Sequence, residues 1–155
     1  MTSLTGDTRW EGRRRAREAA LRMLYQTEIG QMPVTEAARA HEVVGGADAI
    51  DLDEESRGYA ATLAGGTWQT KEALDGYLAE ATKNWRVERL AVIDRLLLRL
   101  AVHELVAHPE TPPRVVIDEA IELARSYSGE DAARFVNGVL DGVFKRLKDE
   151  GKVTD

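Results

Sequence analysis

Apolar residues recur along this chain at three- and four-residue steps with polar residues between them, the spacing of amphipathic helices. From about Glu11 to Ile29, Ala16, Ala20, Met23, Leu24 and Thr27 fall on one side of a helix that Gly30 ends. A short amphipathic run covers Thr35 to Val44 and closes on Gly45-Gly46. Asp51 or Asp53 then caps a helix carrying Tyr59, Leu63, Leu74, Tyr77 and Leu78, with a break or kink expected at Gly65-Gly66. Asn84 to Ala91 reads as a turn into the most apolar segment, Leu90 to Ala107. There Ile93, Leu97, Leu100, Ala101 and Leu105 share a face that Val92, Leu96 and Val106 widen, so this helix is expected to be central. Pro109 stops it, and Pro112-Pro113 precede a helix over about Arg114 to Tyr127. Ser128-Gly129-Glu130-Asp131 fits a capping box for a last helix to about Lys148, with Ala132, Val136, Val139, Leu140, Val143 and Leu147 facing inward. Strand-like alternation extends no further than Arg114 to Ile117. The expected fold is all-α, a compact bundle of about six or seven helices. One domain is expected over 9–148, with flexible tails at 1–8 and 149–155.

Composition narrows the function. A chain of 155 residues suits one hydrophobic core, and the absence of cysteine excludes disulfides, thiolate zinc sites and cysteine nucleophiles. Met1 to Thr8 has no apolar core of a signal peptide, and no apolar run approaches the ~20 residues that span a bilayer. These features point to a cytoplasmic protein without membrane contact. The formal charge of −6 argues at first against a nucleic-acid partner. Its distribution argues the other way. Arg9, Arg13, Arg14, Arg15, Arg17 and Arg22 stand against two glutamates between Arg9 and Arg22, whereas Glu42 to Ser56 holds six acids and no Lys or Arg.

No catalytic constellation emerges. His103 and His108 are five residues apart, about 140° around a helix, so they do not share a metal as an i, i+4 pair would. His41 lies alone on the short amphipathic helix, and Asp118, Glu119 and Glu122 have the spacing of ordinary helix-surface charge. Neither Gly45-Gly46 nor Gly65-Gly66 has the spacing or the lysine of a phosphate loop. The expectation is a protein with no enzymatic activity, no metal and no cofactor.

The arginine segment carries more. Arg14, Arg17, Leu21, Tyr25 and Glu28 recur on one flank of the first helix beside its apolar stripe. Guanidinium groups grip phosphates bidentately, and a nearby aromatic ring stacks on an unpaired base. Cations at a helix N-terminus oppose the helix dipole, so four arginines in five positions are placed for something other than helix stability. The bland alternative is a solvated face with arginines paired to nearby carboxylates. Phe135 falls roughly 100° from the centre of the last helix's buried stripe, with Arg134, Asn137 and Gly138 around it. Asp131 doubles as a capping acid. On the apolar helix, Asp94, Arg95, Arg99 and His103 mark the face expected to meet water or a partner, with salt bridges inside the bundle as the alternative.

Two groups of motifs resemble a known family. The first is Arg13-Arg14-Arg15-Ala16-Arg17-Glu18 with Leu24-Tyr25, then Val92-Ile93-Asp94-Arg95 through Leu98-Arg99 to His103-Glu104-Leu105. The second is Ile117-Asp118-Glu119-Ala120-Ile121-Glu122-Leu123-Ala124 followed by Phe135-Val136-Asn137-Gly138-Val139-Leu140. Together, over about Arg13 to Phe144, they resemble the NusB family of bacterial transcription antitermination factors. The resemblance implies an all-helical, non-catalytic protein that binds boxA-type single-stranded RNA of nascent ribosomal transcripts. It implies NusE, a small-subunit ribosomal protein, as partner, and membership of an RNA polymerase antitermination complex. Carried onto this sequence, it assigns RNA contact to Arg13, Arg14, Arg15 and Arg17, with Asp131 and Phe135, and NusE contact to Tyr25 and Asp94. It also brings in a homodimer beside the monomer. Two readings stay open next to it: an RNA-positioning domain like those of rRNA methyltransferases, and a helical bundle for protein interaction alone. Trp10 and the acidic stretch Asp48 to Glu55 have no clear counterpart in the family.

Overall fold

A computed structural model describes the backbone of residues 2–43, 50–83 and 86–154, and the side chains of 10–40, 50–83 and 86–154. The expected Gly45-Gly46 stop, the side chains of Arg9, His41 and Glu42, Asp48, and the first two residues of the Asn84–Ala91 turn lie outside the described residues. The fold is all-α: among the described residues there are seven α-helices, one 3₁₀ turn and no strand. No helix there is long and apolar enough to cross a membrane. The chain groups into two compact units, Met1–Trp68 and Gln69–Asp155.

The first unit holds α1 (Thr2–Gly30), α2 (Val34–Val43) and α3 (Glu54–Gln69). The stripe expected on α1 is buried: Ala16, Ala20, Met23, Leu24 and Thr27, joined by Ala19 and Leu21. Its small residues allow close neighbours; α2 packs on α1, and its Ala37 is fully buried. A Cβ at Gly12 would stand 2.5 Å from the Ser56 Oγ, so a larger residue there obliges the Ser56 hydroxyl to turn away where α1 meets α3. Helix α1 ends at Gly30, yet the left-handed residue is Gln31 (φ 57°), and the Met32 N–H donates to the Gln26 carbonyl at 3.3 Å. Asp53, rather than Asp51, caps α3: its Oδ1 accepts the Ser56 N–H at 2.8 Å, which lowers the carboxyl's pKa. The expected break at Gly65-Gly66 does not occur. Helix α3 runs through both glycines, because Leu63, Ala64 and Thr67 around them are buried, and burial outweighs a propensity cost of about 1 kcal/mol per glycine.

The second unit holds α4 (Lys71–Ala81), the 3₁₀ turn Val87–Arg89, α5 (Val92–Ala107), α6 (Pro113–Ser128) and α7 (Glu130–Asp149). Helix α5 touches α4, α6 and α7, and every residue from Arg95 to Leu105 is buried, so it is the central helix of this unit. Val106, expected to widen its apolar face, is 40% exposed. The strand-like stretch Arg114 to Ile117 is the first turn and a half of α6, opened by Pro113. The inward stripe of α7 is buried as its periodicity predicts, with Ala133 added. The expected capping box does not form. Ser128 ends α6, and Gly129 joins α6 to α7 at φ 95°, ψ −176°, a conformation open in practice to glycine alone. After α7, Val153 is buried and Lys152 bonds to the Tyr77 hydroxyl of α4.

The two kinds of glycine predict opposite responses to one substitution. Gly129→Ala forces an L side chain into the positive-φ corner and is expected to cost about 1–3 kcal/mol. Gly76→Ala, on α4 where an added Cβ meets nothing within 4 Å, is expected to stabilise by ~0.5–1 kcal/mol. Urea midpoints of the two variants should move in opposite directions from the parent.

Candidate nucleic-acid interface

The buried residues of α1 occupy roughly 200° of its circumference, and the direction of each arginine is set against that arc. Arg14 and Arg15 lie outside it and are exposed; Arg15 pairs with Glu11 one turn earlier at 3.5 Å. Arg13 falls within it, with its side chain only 18% exposed. Its guanidinium stacks 3.5 Å above the Tyr59 ring and stands 3.9 Å from Glu55, so α3 holds it in place. Arg17 is 3% exposed and Leu21 1%, which corrects the single outward flank expected from spacing. That flank runs along the edge of the buried arc, so Arg17 and Leu21 are inside, Glu28 is half-buried, and Arg14 and Tyr25 are exposed.

The far end of α1 is apolar and open. Tyr25 is 42% and Ile29 51% exposed, one turn apart on the same side. A pair of this kind suits a protein surface better than water.

In the second unit, Asp131 and Phe135 lie one turn apart near the start of α7. Asp131 is exposed and bonded to Arg134, Phe135 is half-buried, and Asn137 and Gly138 beyond them are exposed. Asp94 occupies the first turn of α5, half-buried, with its Oδ1 buried and lacking a hydrogen-bond partner. Burial raises its pKa, while a hydrogen bond from Ser128 pulls the other way. The helix N-terminus also favours the carboxylate, yet burial sets the direction.

The remaining polar residues of α5 do not form an outer face. Arg95 and Arg99 are each 8% exposed and His103 9%. The Arg99 Nε and Nη2 each donate to one oxygen of Asp75 on α4 at 2.7 Å, a bidentate pair. Arg95 Nη1 donates to the carbonyls of Glu88 at 3.3 Å and Leu90 at 3.4 Å, around the 3₁₀ turn. These arginines fasten α4 and the turn to α5, the alternative that the sequence left open. His103 and His108 meet edge to face with centroids 5.7 Å apart, and burial of His103, helped by His108, lowers the pKa of its imidazole. Among the described residues no group of His, Asp and Glu has the arrangement of a metal site. Glu122 pairs with Arg125, as surface charge on α6 would.

The sequence profile of the NusB family matches residues 14–145. The chain belongs to the NusB family. The transcription antitermination protein NusB of Symbiobacterium thermophilum is 42% identical over 139 residues, covering 88% of this chain and 91% of that protein. A solved structure of Thermotoga maritima NusB superposes with a TM-score of 0.75 at 31% identity, covering 89% of this chain and 96% of that one. A structure of the antitermination factors NusB and NusE in complex with dsRNA shares the fold, with a TM-score of 0.73 at 24% identity over 88% of this chain and 98% of that one.

Within this NusB-family chain, sequence reasoning missed Tyr59, Glu55 and Asp75, the partners that separate holding arginines from reaching ones. Tyr59 looked like one more apolar position, and Asp75 lies 24 residues from Arg99, so no local spacing joins them. The Asp94 site predicts a pH-dependent stability difference. Its pKa is raised in the folded state, so the native carboxyl holds its proton longer than the unfolded one, and stability falls as pH rises through the native value. Asp94→Asn is therefore expected to raise the urea midpoint at pH 7. The gain should disappear at about pH 3, below the unfolded carboxyl value, where both side chains are neutral.

Proposed function

We propose that this chain is a non-catalytic transcription antitermination factor that binds boxA-type single-stranded RNA of nascent ribosomal transcripts in the cytoplasm. It works with NusE within an RNA polymerase antitermination complex. The observation that carries this reading is the outward projection of Arg14 and Arg15 from α1 on a chain of net charge −6. An acidic protein disfavours phosphate everywhere except where cations are concentrated, so the arginine turn sets where RNA lands. Arg14 and Arg15 take phosphates directly. Arg13, stacked on Tyr59, and buried Arg17 belong to the same basic turn and add to the potential that a phosphate meets there.

The start of α7 is the second RNA-contacting element, through Phe135 and Asp131. Phe135 offers part of a ring for stacking, and Asp131 bonded to Arg134 is an acid that limits binding of the wrong sequence. Tyr25 with Ile29 on α1, and Asp94 on α5, face NusE. The exposed aromatic supplies contact area, and a buried carboxylate oxygen without a partner is relieved when a cation or donor reaches it. The names of the relatives, and the assembly of NusB and NusE with dsRNA in a protein of the same fold, support RNA and NusE as partners.

Binding of a fluorescent boxA-type oligonucleotide, followed by anisotropy across a salt series with NusE present, tests the reading. With Arg14 and Arg15 on phosphates, this chain is expected to contribute about −1.4 to the log–log slope, about −0.7 per neutralised phosphate. Arg14→Ala with Arg15→Ala should weaken binding and flatten the slope by roughly 1.4. Unchanged affinity and slope in that double variant contradict the reading.

A further inference from the structure

Trp10 is the one exposed large aromatic of α1 that neither the family motifs nor the proposed roles use; it is 50% exposed. A tryptophan side chain buries 150–250 Å² when enclosed, so on the order of 100 Å² of indole faces water here. It stands four residues before Arg14, about 40° from it around the helix and ~6 Å along the axis. A phosphate held by Arg14 therefore places a neighbouring nucleotide within reach of the indole.

From this juxtaposition we propose that Trp10 is a stacking platform for an unpaired RNA base beside the phosphate that Arg14 holds. The inference rests on the RNA-binding reading above and extends it to a residue outside the family's motifs. Charge selects the occupant. The arginine-rich turn next to Trp10 attracts a polyanion and repels a basic protein segment, and cations interleaved with an aromatic ring are the arrangement that single strands meet in sequence-tolerant grooves. Strand state follows as well. In an A-form duplex the base faces are stacked on one another, so only an unpaired base presents a face to the indole. Trp10 thus adds a preference for single-stranded RNA that the arginines, reading phosphate alone, do not supply.

The test uses the full chain with NusE, a fluorescent unstructured boxA-type oligonucleotide, and the same sequence as a duplex. Trp10→Ala, with its fold checked by circular dichroism, is expected to weaken single-strand binding by about five- to a hundredfold. The salt slope should be unchanged, because no phosphate contact is lost, and Trp10→Phe should recover most of the affinity. Duplex binding should be insensitive to both changes. Equal loss on single strand and duplex overturns the stacking role. So does a Trp10→Ala protein that binds the single strand like the parent while Arg14→Ala with Arg15→Ala weakens it; the RNA-binding reading then stands without Trp10. If Trp10→Ala weakens association with NusE and leaves RNA affinity intact, the indole serves a protein, and the inference is wrong. If neither the arginine pair nor Trp10 affects RNA binding, the RNA-binding reading itself fails.

Discussion

Helix α1 packs through a face of alanine, leucine and methionine, and that packing fixes the direction of every other side chain on it. Ala16, Ala19, Ala20 and Leu24 are completely enclosed, so the helix cannot rotate without opening the first unit. With the buried arc set, an arginine's place in the heptad decides its fate. Residues 14 and 15 reach solvent, residue 13 lies on a tyrosine of α3, and residue 17 is inside. A run of four arginines in five positions therefore becomes two outward cations and two that consolidate the same turn. The Gly12–Ser56 approach and the stacking of Arg13 on Tyr59 link α1 to α3 at the same level of the helix, which gives the outward pair a rigid base.

Arginine serves a second purpose in the other unit, where it is a fastener. Arg99 joins α5 to Asp75 through two hydrogen bonds at low exposure, and Arg146 pairs with Glu80 and Glu150 beside Tyr77. Their charge is matched by adjacent carboxylates, so it adds little to the potential beyond the ~8 Å over which salt screens exposed charge. This division explains how a chain with more acids than bases accommodates a polyanion. The acidic remainder disfavours adventitious RNA binding, and Arg14 and Arg15 are the cations of the arginine turn exposed to solvent.

Much of this was legible in the sequence, and what was not has identifiable physical causes. The apolar stripes of α1, α5 and α7 are periodic within one helix, so Ala16 to Thr27, Leu96 to Leu105 and Ala132 to Leu147 were found from spacing alone. Arg95, Arg99 and His103 look like an outer face in the sequence because one helix alone shows three polar residues in a row along its axis. The residues that make that face internal, Asp75 above all, belong to another helix. Arg17 was misplaced for a related reason: spacing groups it with Arg14 and Tyr25, and only the width of the buried arc separates them. At Gly65-Gly66 local propensity predicted a break that burial of Leu63, Ala64 and Thr67 overrides. At Ser128–Asp131 the capping signature is present in the letters, but Gly129 at φ 95° turns the chain, Ser128 bonds to Asp94, and Glu130 pairs with Arg125.

On this reading outward arginines meet RNA while the fastening ones do not. It is tested most directly by following the arginine Nε–H resonances in a titration with a boxA-type oligonucleotide in the presence of NusE. The Arg14 and Arg15 signals should shift or broaden as RNA is added, while that of Arg99, locked on Asp75, stays where it is. Undisturbed Arg14 and Arg15 signals, with RNA-induced shifts gathered elsewhere, would contradict it.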